Sequence, residues 1–551
     1  MTKQISFFLA IILILILSMA TAHSDNNPSL TQSKPIIYNI VKDPTFEGYK
    51  LSIKGTNFGS TRDSSFVLFD NEKVSHILSW SNSEIVIIVM TDELQGKFLV
   101  SVNNEKSNQF EFNFFEVPLY SLIPFIFMLG SIAVLPLIAH KWWDVNRNKL
   151  IVALVLGIPV AIWLFAVGMT YELEHAIVYD YIPFIILLGS LFVITGGIFV
   201  DGNIEAKPKN NAIILGIGAI LASFMGTTGA AMLLIRPLIH TNRERQFKVH
   251  IILFFIAIVA NCGGLLTPLG DPPLFMMYLR GAPFFWFFHF IWEWLFVNGI
   301  LLIIFFFVDS HFWKKESQEV KIKDHDYQEP IKLQGKFNFI FLLGVVLSVA
   351  LINPNTLDFV KSTHPSSYLR EASIALMAIL SLVFTKKQIR ISNNFNWHPI
   401  NEVAFLFLGI FITMVPCLSY LETHAKLLGV DTPNMFYYAT GILSSFLDNT
   451  PTAVTFYSLA VGLVTEDPSL IANTATVAGI PEILMYAICT AAVYFGAMTY
   501  IGNGPNFMVK AIAESEGIKM PDFFSYMIKF SIIVLLPLFV LCELIFILKI
   551  F

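Results

Sequence analysis

From residue 118 onward the chain alternates between apolar runs of roughly 20 residues and short polar interruptions. A run of about 20 apolar residues is long enough for a helix to cross a bilayer. The pattern predicts spanning segments near 118–139, 149–168, 179–200, 249–280, 283–308, 337–353, 370–384, 400–420, 481–514 and 524–548. Glycine and proline break two of these, 249–280 and 481–514. Two further apolar pieces, 211–239 and 434–464, are broken by FMGTTGA and FLDNTPT. Ahead of this region, residues 35–116 are polar, with short alternating stretches such as YKLSIKG, EIVIIVM and GKFLVSV. Alternation between turn residues predicts a small β-sandwich. The first 22 residues carry Lys3, an apolar core at 7–17 and Ala20-Thr21-Ala22, the layout of a secretory signal peptide.

Basic residues orient the spans. Lys141, Arg147 and Lys149 follow the first span, which places that loop in the cytoplasm and the β-domain outside. Both flanks of 211–239 are basic, with Lys207 and Lys209 before it and Arg243, Arg245 and Lys248 after it. Such a piece should leave the cytoplasmic face and return to it, as a re-entrant hairpin. The flanks of 434–464 are acidic, with Glu422 and Asp431 before it and Glu466 and Asp467 after it, so this hairpin should start from outside. The lysine-rich stretch 309–336 reads as a cytoplasmic linker between a first repeat, 118–308, and a second, 337–551.

The two halves echo each other in sequence. SFMGTTGAA (223–231) aligns with SFLDNTPTA (445–453), and PLGDPPLFM (268–276) with YIGNGPNFM (500–508). Inverted repeats with broken helices mark secondary transporters. Non-helical backbone at membrane depth is tolerated only where protein or a water-filled cavity satisfies it. Each break also carries residues that start helices: Thr228-Gly229, Asp271-Pro272, Thr450-Pro451 and Gly504-Pro505. Helix N-termini and unwound carbonyls at such breaks bind ions. Each hairpin tip should therefore meet the unwound helix of its own half, building two pseudo-symmetric sites. An ionisable residue costs roughly 3 kcal/mol at mid-bilayer on insertion scales, which makes Asp271 and Asp448 functional candidates as well as caps.

Composition narrows the function classes. Only 14% of the 551 residues are charged and 55% are hydrophobic, against about a quarter charged in soluble domains. The four cysteines lie in apolar segments and read as packing residues. His175, His250, His289 and Glu293 form no H-x-x-x-H spacing, and neither a G-x-S-x-G nor a phosphate loop occurs, so no enzyme motif is present. Nothing points to nucleic acid or to a resident cofactor.

Two resemblances follow from these motifs. PIIYNI…YKLSIKGTNFG, with Gly55-Thr56-Asn57-Phe58-Gly59, resembles an IPT/TIG module, which implies a binding or spacer unit. NCGGLLTPLGDPPLFMMYLRG (261–281), FMGTTGAAMLLIRPLI (224–239) and SSFLDNTPTA (444–453) resemble the ion transporter superfamily. The nearest branch holds citrate transporters and NhaD-type sodium/proton antiporters. That resemblance implies a homodimer with a scaffold and a moving transport part that alternates access like an elevator. It also implies that Asp271 matches the antiporters' G-D aspartate and Asp448-Asn449 their D-N pair. The first tip departs from the pattern, with Gly226-Thr227-Thr228 in place of an acidic pair, and Asn503 stands opposite Asp271.

The expected architecture is an all-α polytopic membrane protein with inverted repeats, two re-entrant hairpins, two broken helices and an N-terminal extracytoplasmic Ig-like β-sandwich. Its expected place is the inner membrane of a bacterium. Sodium/proton antiport is the expected function. A desolvated carboxylate holds a proton more readily, which lets Na⁺ and H⁺ compete for one group. Asp271 and Asp448 are the candidate Na⁺ carboxylates. Thr227, Thr228, Thr267, Gly270, Asn449, Thr450, Gly502 and Asn503 complete the candidate binding set, since hard cations want oxygen ligands. Glu402, at a helix start, is a third proton-coupling candidate. The alternative is cation-coupled uptake of citrate or a dicarboxylate, with helix N-termini and Arg236 as the positive groups. Arg236 lies about 12 Å past the first tip at 1.5 Å per residue, and reads first as an interface anchor. A receptor built on the β-domain is less favoured, because no cytoplasmic loop is large enough to be an output domain.

Overall fold

The computed structural model describes residues 34–42, 49–62, 65–89, 95–103, 105–113, 115–326, 328–354, 356–357, 359–360, 365–472 and 474–550. The signal peptide expected over 1–22 lies outside them. The chain forms two compact units. One holds residues 23–121 and 159–173; the other holds 122–158 and 174–551.

The N-terminal unit is built from two antiparallel sheets. One runs in the order Ile36–Lys42, Tyr49–Thr56, Glu84–Val89, His76–Trp80. The other runs Glu72–Lys73, Phe66–Phe69, Gln95–Val102, Glu105–Lys106, and Phe110–Asn113 also pairs with Gln95–Val102. Each alternating stretch becomes a strand. His76–Trp80 and the two-residue pieces were not legible, because they lack a clear alternation. Inward residues on alternating positions form the core: Leu51 and Ile53, Ile85 and Ile87, Phe98 and Val100. The G-x-x-F-G motif has a steric origin. A Cβ on Gly55 would sit 2.2 Å from the Phe58 ring and 2.0 Å from the Ile36 carbonyl oxygen, so only glycine lets that ring enter the core. Trp80 Nε1 donates to the Phe58 carbonyl at 2.9 Å and pins the turn.

The second unit is helical. Among the described residues, eight helices are long and apolar enough to cross a membrane: Leu119–Pro136, Asn146–Ala166, Thr170–Thr195, Pro208–Met225, Val249–Leu266, Phe284–Lys315, His398–Thr423 and Phe523–Ile547. Asn338–Leu351 and Glu482–Met498 are shorter apolar helices. Val249–Leu266 is the central helix, with 89% of its apolar window buried, whereas Leu119–Pro136 has 22% buried. Peripheral helices accordingly present apolar side chains outward, Ile138, Ile162 and Phe307 among them. Such a surface suits lipid and not water. The four cysteines are buried and unpaired.

The breaks fall within the predicted motifs, three of them at glycine or proline and the fourth at Leu447 and Asp448 in FLDNTPT. Pro208–Met225 and Thr227–Thr241 form one helical hairpin, turned at Gly226 with φ 81° and ψ 147°. Pro433–Phe446 and Asn449–Glu466 form the other, turned at Leu447 and Asp448. Val249–Ile258 gives way to a short tight helix, Cys262–Leu266, then extended backbone, then Pro272–Leu279. Glu482–Phe495, Gly496–Met498 and Gly504–Ser515 repeat that layout.

The stretch 309–336 is more ordered than a linker. Helix Ile291–Lys315 runs through its start, and Glu329–Gln334 pairs with Phe199–Asn203. Arg245, on the loop after the first hairpin, places Nη2 2.6 Å from the Asp309 carboxylate, both side chains being fully buried. His250 Nε2 approaches the same oxygen at 2.8 Å, and Asn211 Nδ2 donates to the other at 3.0 Å. This network ties the base of the first hairpin to helix Ile291–Lys315.

Candidate functional site

Four helix N-termini meet in the interior of the second unit. Their positions come from matched loop contacts in the two halves. The Thr267 hydroxyl donates to the Ser223 carbonyl and the Thr499 hydroxyl to the Ser445 carbonyl. Each of these hydroxyls also accepts a backbone N–H two residues on, from Leu269 and Ile501, both at 3.2 Å. The tip and the unwound strand of each half are thereby joined. In the first half, Thr227 N–H donates to the Gly270 carbonyl at 2.8 Å. Gly270 itself packs so tightly on Gly264 that a Cβ would lie 2.0 Å from its carbonyl oxygen.

Asp271 is the centre of the arrangement. It is 1% exposed. Its Oδ1 accepts from the Thr227 hydroxyl at 2.8 Å and from Asn503 Nδ2 at 3.2 Å. Its Oδ2 accepts from Asn449 Nδ2 at 2.6 Å. Asn503 Nδ2 also reaches Asn261 Oδ1 at 3.1 Å, and Asn261 Nδ2 donates to Asn506 Oδ1 at 2.6 Å. Asn506 in turn donates to the Gly496 and Thr499 carbonyls at 2.7 and 2.9 Å, which fixes the second unwound segment.

Of the predicted residues, Thr227, Asp271, Asn449 and Asn503 form this one cluster. Thr450 borders it, with its hydroxyl 3.4 Å from Asn449 Oδ1. Thr267, Gly270 and Gly502 shape the loops; Gly502 donates its N–H to the Thr499 hydroxyl at 3.2 Å. Thr228 lines a neighbouring cavity of about 60 Å³, bounded by Gly226, Gly270, Leu191 and Ile400. Asp448 caps its own helix, accepting the Thr450 N–H at 3.0 Å. Glu402 pairs with buried Lys149 at 2.7 Å. Residues expected in two separate sites are hydrogen-bonded to one another here, through Asp271. Asn503, standing where a second acid would be, is neutral, and its amide donates to Asp271. Asn261 and Asn506 were missed; buried asparagines inside apolar spans, at NCGG and GPNF, were the available signal.

A carboxylate can accept about four hydrogen bonds, and this one receives three, all from neutral groups. Among the described residues no Lys, Arg or His forms an ion pair with it. A buried charge without a counter-charge attracts either a proton or a cation. The side-chain oxygens of Asn449, Thr227 and Thr450 lie beside it, and oxygen is the ligand a hard cation takes.

Apolar spanning helices wrapped around four interior helix starts and one buried carboxylate define a multi-pass membrane protein of the transporter class. Residues 114–547 match the family described as "Putative citrate transport", and the chain belongs to it. Residues 35–114 match the IPT/TIG domain. No curated protein matches the chain.

Proposed function

We propose that the protein is a secondary transporter that exchanges sodium for protons at Asp271. The observation that carries this reading is the carboxylate itself: buried, shared between the two halves, and held only by neutral donors. Na⁺ and H⁺ would compete for it, and binding of either removes the cost of a bare buried charge. The paired breaks support an inverted repeat with two re-entrant hairpins. Displacement of that unit against a scaffold would present Asp271 to each face in turn, in an elevator-like cycle within a homodimer. Basic loops at 141–149, 207–209 and 243–248 support a cytoplasmic location for those ends, in a bacterial inner membrane with the β-domain outside. Asp448 and Glu402 remain secondary candidates for proton coupling.

A second reading is cation-coupled uptake of citrate or a related carboxylate. Two observations favour it. One is the family's description. The other is Arg236, on the helix that starts at the first tip, whose buried Nη1 has no hydrogen-bond partner among the described residues. Proteoliposomes separate the two. A sodium pulse that shifts internal pH without added anion supports exchange. Labelled citrate that accumulates only down a sodium gradient, with no pH response to sodium alone, supports the carrier. If neither occurs, both readings fail.

A further inference from the structure

The helix Pro272–Leu279 has Asp271 at its start and Arg280 at its end, and covers about 12 Å at 1.5 Å per residue. Its far end carries three polar ties to neighbouring helices. Arg280 Nη2 lies 2.8 Å from Asp180 Oδ2, the two side chains being 16% and 4% exposed. The Tyr278 hydroxyl donates to the Val349 carbonyl at 2.8 Å and accepts from Arg370 Nη1 at 3.3 Å. Asp180, Val349 and Arg370 belong to three helices, Thr170–Thr195, Asn338–Leu351 and Tyr368–Phe384. The first and third of these are joined to each other, the Tyr368 hydroxyl donating to the Val178 carbonyl at 2.6 Å. None of the three carries a residue that bonds to Asp271. One short helix thus connects the Asp271 cluster to a separate frame. In the orientation proposed above this end is extracytoplasmic.

Three features suit these ties to breaking and re-forming. Asp180 sits where its helix widens, over His175–Tyr181; the Ile182 N–H there bonds to the Ile177 carbonyl, five residues back. Widened turns of this kind collect at functional sites. Gly281 follows Arg280 at φ 108°, and a Cβ on it would meet nothing within 4 Å. Glycine there answers a backbone conformation and not a packing need, and it gives the chain a swivel just past the ion pair. A cavity of about 90 Å³ adjoins the pair, lined by Tyr278 on one side and by Asp180, Asn353, Ser367 and Arg370 on the other. A water needs roughly 10–15 Å³ of such space. Several can therefore enter and hydrate Asp180 and Arg280 as they part, which a dry pair could not survive without stranding two buried charges.

We infer that the Asp180–Arg280 pair, together with Tyr278, is a latch that holds this face shut. It ties the helix that starts at Asp271 to the surrounding frame. When it parts, the helix moves away from the frame and the wet cavity widens into a path toward Asp271. Arg280 and Tyr278 touch no transported ion; they act by positioning the helix that carries Asp271 at its start. The inference rests on the reading that Asp271 is presented to two faces in turn, and holds whichever ion or anion is carried.

Ser367→Cys supplies the probe. Ser367 is 8% exposed and lines the cavity from the frame side, so a cysteine there reacts only while the face is open. The purified full-length protein carrying it is labelled with a bulky, charged maleimide. The chain without it, whose four cysteines are buried, is the blank. The latched form should label slowly but measurably. Adding Arg280→Gln or Asp180→Asn should raise the rate at least tenfold, about 1.4 kcal/mol in favour of the open face. Tyr278→Phe should raise it about threefold, as for one net hydrogen bond. Arg280→Lys, which keeps the charge, should return most of the slow rate. Where Arg280→Gln does not fold, Asp180→Asn and Tyr278→Phe carry the test. Faster labelling of the native cysteines in the same variants would mean loosening of the whole fold, and overturns the latch. Equal rates in variants and parent overturn it too, and leave alternating presentation of Asp271 standing. A Ser367→Cys that never labels in the folded protein shows a face that stays shut, and overturns both. Labelling reads motion and not cargo, so its outcome is independent of the flux measurements that test sodium/proton exchange.

Discussion

Replacing Asp271 by asparagine removes one charge and almost no volume, so it separates ion binding from packing. The new side-chain oxygen can still accept from Thr227 and Asn503, as Oδ1 does at 2.8 and 3.2 Å. Its amide, however, faces Asn449 Nδ2, which now donates to Oδ2 at 2.6 Å. Two donors would then oppose each other, at a cost of roughly 1–3 kcal/mol unless Asn449 turns its amide over. Folding should therefore survive. Ion binding should not. A unit charge about 4 Å from a cation is worth about 4 kcal/mol at an effective dielectric of 20. At about 1.4 kcal/mol per tenfold, sodium affinity should fall by about three powers of ten. The assay is thermal unfolding across a sodium titration. At 100 times its Kd, sodium should stabilise wild type by about 2.7 kcal/mol, whereas Asp271→Asn should show no sodium-dependent shift at the same concentrations. A variant that keeps the sodium-dependent stabilisation, and still moves protons in vesicles, would refute the assignment of Asp271.

Other substitutions probe the surrounding frame. Asp448→Asn should retain the cap to Thr450 N–H, since asparagine caps as well as aspartate, and should weaken sodium binding less than tenfold; Asp448→Ala should cost about 1 kcal/mol in thermal stability. Gly226→Ala forces a side chain into φ 81° and should destabilise the first hairpin by about 1–3 kcal/mol, measured by denaturation in detergent. Arg245→Met leaves Asp309 buried with its strongest partner gone and should cost about 3–5 kcal/mol, and the double variant Arg245→Met/Asp309→Leu should recover most of it.

Much of the architecture was written locally. Run length marked most of the membrane helices, because the bilayer imposes a length on any apolar segment that crosses it; the run at 370–384 became helix Tyr368–Phe384, which is not among those long and apolar enough to span. Gly226, Asp271-Pro272 and Gly504-Pro505 marked helix interruptions, because positive φ and a missing N–H are properties of single residues. Gly55 and Phe58 marked the β-domain turn for the same kind of reason. The candidate site was legible only in part. Asp271, Thr227, Asn449 and Asn503 stood out as polar residues at the breaks, but their partnership did not. Asn449 lies 178 positions from Asp271, and Asn503 lies 232 positions away. No local pattern distinguishes two self-contained half-sites from one shared cluster. Tertiary packing decided that, by bringing all four helix starts around the Asp271 carboxylate, which takes its donors from both halves. The same packing turned Thr267 into a loop tie and Glu402 into the partner of Lys149. Composition and spacing determine which residues can carry charge into the membrane; only the assembled fold determines which of those charges remain without a counter-charge.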